Sequence, residues 1–192
     1  MAKRILLAGV LGGFALFVWG GLAHTVLGLG QVGVRYLPQQ QPVMTTLKAS
    51  VPQAGFYFFP QPDAQMKFPA DEIGGPYGIM IYHSAGAGGS MAGQLVNELI
   101  LNFALALLAA WLLSLATGVS GYRARVGFVT AVGLIVGLMV NVQYWNWYGF
   151  PMSYTLAAIF VVVVGFLLIG LIAAALVKPP VRSIAAVPAR AA

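Results

Sequence analysis

The chain holds few side chains able to do chemistry: two histidines, His24 and His83, and four acids, Asp63, Asp71, Glu72 and Glu98. Cysteine is absent from all 192 residues, which removes disulfides, thiolate metal centres and thiol nucleophiles. Asp71, Glu72 and His83 lie close enough in sequence to gather, yet their spacing singles out no reaction. A haem held by two histidines would need both at facing depths, which a loop position for His83 opposes. The stretch Ser84-Ala85-Gly86-Ala87-Gly88-Gly89-Ser90 follows a candidate strand and precedes a helix, so a phosphate-cradling loop has to be weighed. A dinucleotide fingerprint would need a third glycine where Met91 stands, and the lysine of a P-loop is also missing. A hinge, with Ser90 capping the following helix, is the simpler expectation.

The remaining polar candidates are His24, Glu98, Asn102, Asn141 and Gln143, each inside or at the edge of a long apolar run. Helical rise places His24 about 28 Å from Ile5, Glu98 about 28 Å from Thr117 and Asn141 about 24 Å from Arg125. Asn102 shares a helix face with Glu98. Residues from three runs therefore fall in one layer. Polar groups at membrane depth mark function by default. One reading is an outward-facing pocket in which Glu98 and His24 pair, for proton handling or metal binding. The other is structural. Glu98 would sit at the favourable positive end of its helix, His24 would meet interfacial water, and the asparagines would hydrogen-bond between helices. Directly after Gln143 and Tyr144 comes Trp145-Asn146-Trp147-Tyr148-Gly149-Phe150-Pro151, read as a turn. Trp145, Trp147 and Tyr148 are expected either as headgroup-level anchors or as a stacking platform for a ligand.

The elements that must position these groups follow from composition. Only 7% of residues are charged and 60% are apolar, too little charge to cover a water-soluble domain. Four runs, at about 5–27, 95–117, 126–144 and 154–177, reach the roughly 20 residues that a hydrocarbon core of about 30 Å demands. They show no period-two alternation, so helices are expected rather than a barrel. The first has a rival reading as a secretory signal, with Lys3 and Arg4 in front and Gly21-Leu22-Ala23 as a cleavage site. The apolar run continues through Val26 and Leu29, which favours a retained helix.

Lys3, Arg4, Arg123, Arg125, Lys178, Arg182 and Arg190 are seven of the ten basic residues, and all fall at one end of the spans. By the positive-inside rule that end is cytoplasmic, with both termini inside. Arg35, Lys48 and Lys67 share the segment 31–93 with three of the acids, so that segment is neutral and expected outside. Basic residues spread in this way give no nucleic-acid face. Within 31–93, the stretch Gln39-Gln40-Gln41 reads as a linker and 43–50 as a short helix ended by Pro52. Residues 55–60 and 78–83 read as two short strands that could pair around the acidic loop. A unit this small needs support from the helices, for which the aromatic run 56–59 is suited.

Gly9-x-x-x-Gly13 and Gly133-x-x-x-Gly137 allow close helix approach, as do Ala104, Ala106, Ala109, Ala110, Ala157 and Ala158. Such faces serve equally for packing within the chain or against a neighbour.

The phrase 144–151, with Gly55-Phe56-Tyr57-Phe58-Phe59-Pro60 and the segment from Gly75-Pro76-Tyr77-Gly78 to Tyr82-His83, resembles small bacterial inner-membrane proteins of uncharacterised function. The resemblance implies a bacterial four-span protein and brings no activity or catalytic residue.

The expected fold is thus an all-α membrane protein, a four-transmembrane-helix bundle with a small extracytoplasmic α/β cap between the first two spans. Residues 1–30 form the tail and first span, 31–93 a periplasmic cap, 94–177 the other spans and 178–192 a disordered cytoplasmic tail. The expected function is that of an accessory or structural subunit in a bacterial inner membrane, its partners the lipid bilayer and either another membrane protein or a second copy. The alternative is a small ligand-, lipid- or proton-handling protein. Enzyme activity is not favoured, and no cofactor is identified.

Overall fold

A computed structural model describes residues 1–65, 67–70, 73–84 and 89–178. Expectations for Asp71, Glu72, most of the glycine-rich connector, and the tail with Arg182 and Arg190 concern positions outside the described residues. The chain is mostly helical. Helices α1 (Ala2–Thr25), α3 (Met91–Leu115), α4 (Tyr122–Tyr148) and α5 (Met152–Leu176) are each long and apolar enough to cross a membrane. Between α1 and α3 lie a short helix, α2 (Gln40–Ser50), and two strands, β1 (Gly55–Phe59) and β2 (Gly78–Tyr82). The strands pair antiparallel, with Gly55 opposite Tyr82 and Phe59 opposite Gly78.

Local chemistry accounts for the element ends. Ser90 Oγ accepts the Gly93 N–H at 3.1 Å and satisfies one of the orphan donors of α3. Gly121, at φ 82°, precedes α4, and Gly149, at φ 70°, follows it; both φ values disfavour a side chain. Pro42 occupies the first turn of α2, where its missing N–H costs no hydrogen bond.

Three boundaries differ from the sequence reading. Trp145, Trp147 and Tyr148 belong to the last turns of α4 rather than to a turn. Indole and phenol rings do not break a helix, and the chain leaves it only at Gly149. Arg123 and Arg125, which lie ahead of the 126–144 run, sit in the first turn of α4 because the helix starts directly after Gly121. Gln40 and Gln41 open α2 instead of forming a linker.

The chain forms two compact units. Among the described residues the first comprises 1–20, 99–135 and 162–178. Its core gathers Ala8 of α1, Ala106, Ala109, Ala110 and Leu113 of α3, Val126 and Val129 of α4, and Phe166, Ile169, Ala173 and Ala174 of α5. Glycines let these helices approach. A Cβ on Gly13 would lie 2.7 Å from Phe103 Cα, and one on Gly9 would lie 3.0 Å from Leu107 Cα. Gly133 faces Phe166, Gly165 faces Leu16, and Gly170 meets the Val126 carbonyl. The second unit comprises 21–98 and 136–161. Here Gly137 packs on Ile159, and Gly33 lies against the backbone of Tyr154.

Burial in the long helices is inverted relative to a soluble bundle. Alanine and glycine take a large share of the interior, while Leu6, Phe14, Ile100, Ile135 and Met139 are exposed on the outer faces of the helices.

Candidate functional site

A groove of about 1020 Å³ lies wholly in the second unit. The residues from Phe56 to Phe59 on β1, Gly78 and Ile79 on β2, and the chain between the strands form most of its wall. Trp147 and Tyr148, at the end of α4, complete it. Eight of the described lining residues are aromatic: Phe56, Tyr57, Phe58, Phe59, Phe68, Tyr77, Trp147 and Tyr148. None of the described lining residues is ionisable at neutral pH.

The walls are tied in place by specific contacts. Tyr148 meets Phe56 and Phe58 with ring centroids 6.4 and 6.0 Å apart, and those two phenylalanines meet each other at 4.9 Å. The ladder runs on from Tyr148 to Tyr144, Phe150 and Tyr154 at separations of 5.3–5.7 Å. Pairs of this kind contribute about 0.5–1.5 kcal/mol each beyond the area they bury. The Trp147 indole donates to Gln143 Oε1 at 2.8 Å, one helical turn back, which fixes the ring that edges the groove. Tyr57 Oη donates to the Gln53 carbonyl at 2.7 Å. Asp63 Oδ1 accepts from the Gln65 and Lys67 amides at 2.9 and 2.8 Å, closing the loop between Pro62 and Phe68.

Of the residues singled out in the sequence, Trp147 and Tyr148 line this groove, and Gln143 reaches it only through its bond to Trp147. Trp145, also on α4, is exposed and does not line it. His24 occupies the last turn of α1 with its ring against Gly30. Glu98 is exposed on α3, and Asn102 is buried on the same helix. Asn141 donates its amide to the Gly137 carbonyl at 2.8 Å, on its own helix and not across to a neighbour. Short polar side chains on a helix can bond the backbone carbonyl one turn back in place of a partner on another helix. Among the described residues no group of three or more His, Asp or Glu side chains could hold a metal ion.

The sequence reading missed two features. The groove needs β1, β2 and the end of α4 together, and the only advance signal was the shared aromatic density of 56–59 and 144–150. The other is Arg125, only 2% exposed, whose Nη1 donates to the Val119 carbonyl at 3.4 Å and Nη2 to the Val177 carbonyl at 2.5 Å. Tyr122 Oη donates to the Leu171 carbonyl at 3.1 Å, so the start of α4 is bonded to the last turns of α5 and the residue just beyond.

Comparison with protein-family models, with curated proteins and with solved structures finds no match to this chain.

Proposed function

We propose that this chain is an integral membrane protein, crossing the bilayer four times, that works by non-covalent binding of an uncharged, largely apolar ligand in the groove of its cap. The inverted burial of the long helices supports insertion. Large apolar side chains turned outward are stable in hydrocarbon, whereas each loses about 1.5–3 kcal/mol in water relative to burial. The basic residues at the start of α1, at the start of α4 and after α5 support cytoplasmic termini and an extracytoplasmic cap. A bacterial inner membrane fits the resemblance noted above.

The aromatic lining of the groove, without a charged side chain among the described residues, is the observation that carries the binding reading. Ligand sites are commonly concave, mostly apolar and lined by aromatic residues. An accessory subunit is the second reading, and the exposed aromatic side chains of the cap favour it, since such rings are enriched at protein interfaces. The GxxxG faces support it less, because Gly9, Gly13, Gly133 and Gly137 are spent on contacts within the chain.

Native mass spectrometry of the full chain in mild detergent separates the two. A retained non-protein mass that Ile79→Glu abolishes is the expected result. Stoichiometric polypeptide companions would replace the first reading with the second, and a bare chain throughout would overturn both.

A further inference from the structure

We infer that the groove holds one acyl chain of a bilayer lipid, drawn out of the leaflet along the end of α4. This rests on the membrane-binding reading above and names its ligand.

The position of the groove is the first argument. Helix α4 has 27 residues, so it is about 40 Å long, against a hydrocarbon core of about 30 Å. Its last turn therefore emerges through the interface, where indole and phenol rings concentrate. Trp147 and Tyr148 stand on that turn and are at the same time part of the groove wall. The floor of the groove is thus continuous with the level at which lipid chains begin.

The lining chemistry is the second argument. A sugar stacked on these rings would still need side chains to bond its hydroxyls. The described lining has Gln61 and tyrosine hydroxyls, and the hydroxyl of Tyr57 is already committed to Gln53. A charged headgroup would lack a counter-charge among the described lining residues. An alkyl chain asks for no hydrogen bond and gains about 0.8 kcal/mol per methylene removed from water.

Preorganisation is the third. The Gln143 bond to Trp147 and the contacts of Tyr148 with Phe56 and Phe58 hold the rings in place around an open groove of about 1020 Å³. Rigid walls reduce the ordering cost of binding a flexible chain.

The test uses the full chain with Trp147 as its sole tryptophan (W19F/W111F/W145F), reconstituted in phosphatidylcholine nanodiscs. The lipid is brominated either near the ester or toward the methyl end. An indole held at headgroup level by belt anchoring alone is quenched by the first lipid and not by the second. The expected result is strong quenching of Trp147 by methyl-end bromine, abolished by Ile79→Glu. Ile73→Glu, at an exposed lining position, repeats the test should the first variant fail to fold. A parallel chain retaining only Trp111, exposed on α3, reports insertion through quenching by either lipid. Quenched Trp111 with Trp147 blind to methyl-end bromine overturns the acyl-chain proposal and leaves the four-span reading standing, as it would if a polypeptide segment is the occupant. Trp111 untouched by both lipids overturns the membrane reading itself, and the proposal with it.

Discussion

A guanidinium taken out of water needs acceptors for its donors, and Arg125 finds two in the backbone carbonyls of Val119 and Val177. Its Nε has no partner among the described residues, and the two bonds hold the side chain from its far end. Lysine would keep the charge, but a single ammonium on an unforked stem cannot span both carbonyls. Arg125→Lys is expected to destabilise the chain by about 1–3 kcal/mol, read as a lower melting temperature in mild detergent. An unchanged melt would mean that the two bonds do not hold the helix ends together. Gly13 supplies a second single-residue test. A methyl there meets the backbone of Phe103, which cannot swing aside, so Gly13→Ala should cost about 1–3 kcal/mol. Gly21, on the same helix, has open space where a methyl would go, and Gly21→Ala should be neutral or stabilising by up to about 1 kcal/mol. Equal effects at the two positions would rule out close packing as the reason for glycine at 13.

At the scale of elements, the α4–α5 connection decides where the aromatic side chains end up. Because α4 continues to Tyr148, its rings stack with one another at helical spacing and reach β1; a turn from 145 onward would have splayed them. Gly149 ends the helix at a φ that costs other residues about 1–2 kcal/mol, so Gly149→Ala should lower the melting temperature by a matching amount. Tyr148 is the hinge pin between the hairpin and α4. Tyr148→Ala removes its contacts with Phe56 and Phe58, a loss of about 1–3 kcal/mol. Limited proteolysis should then cut the segment between α1 and α3 sooner, while the long helices stay protected. If the rate of cutting is unchanged, the hairpin is anchored by something other than this ring cluster.

For the molecule as a whole, the decisive quantity is which solvent the outward faces of the helices meet. With side chains such as Ile135 and Met139 turned away from the protein, extraction from membranes should require detergent, and an alkaline wash should leave the chain in the pellet. Reporter tags at the two termini should be accessible from the same side, and a tag in the loop near Gly74 from the other. Release by alkali, or termini on opposite faces, would remove both the proposed topology and the placement of the groove at the extracytoplasmic surface.

Four apolar helices, a strand pair in the intervening segment and the capping role of Ser90 were all legible from the chain alone, because length, hydropathy and turn residues act locally. The polar candidates were legible as a set and not as a site. Asn141 turned its amide onto the carbonyl four residues back and Gln143 was taken up in holding Trp147 four residues on, pairings that helical spacing permits but does not select, while Asn102 lies buried through tertiary packing. Arg125 is legible in the sequence only as an orientation marker, and its burial follows from α4 beginning beside the end of α5. The groove belonged to tertiary structure altogether, since its wall joins β1, β2 and α4, segments far apart in the chain. Sequence sets what a segment is able to bury; only packing decides which segments meet, because contact energies between distant residues are absent from any local pattern.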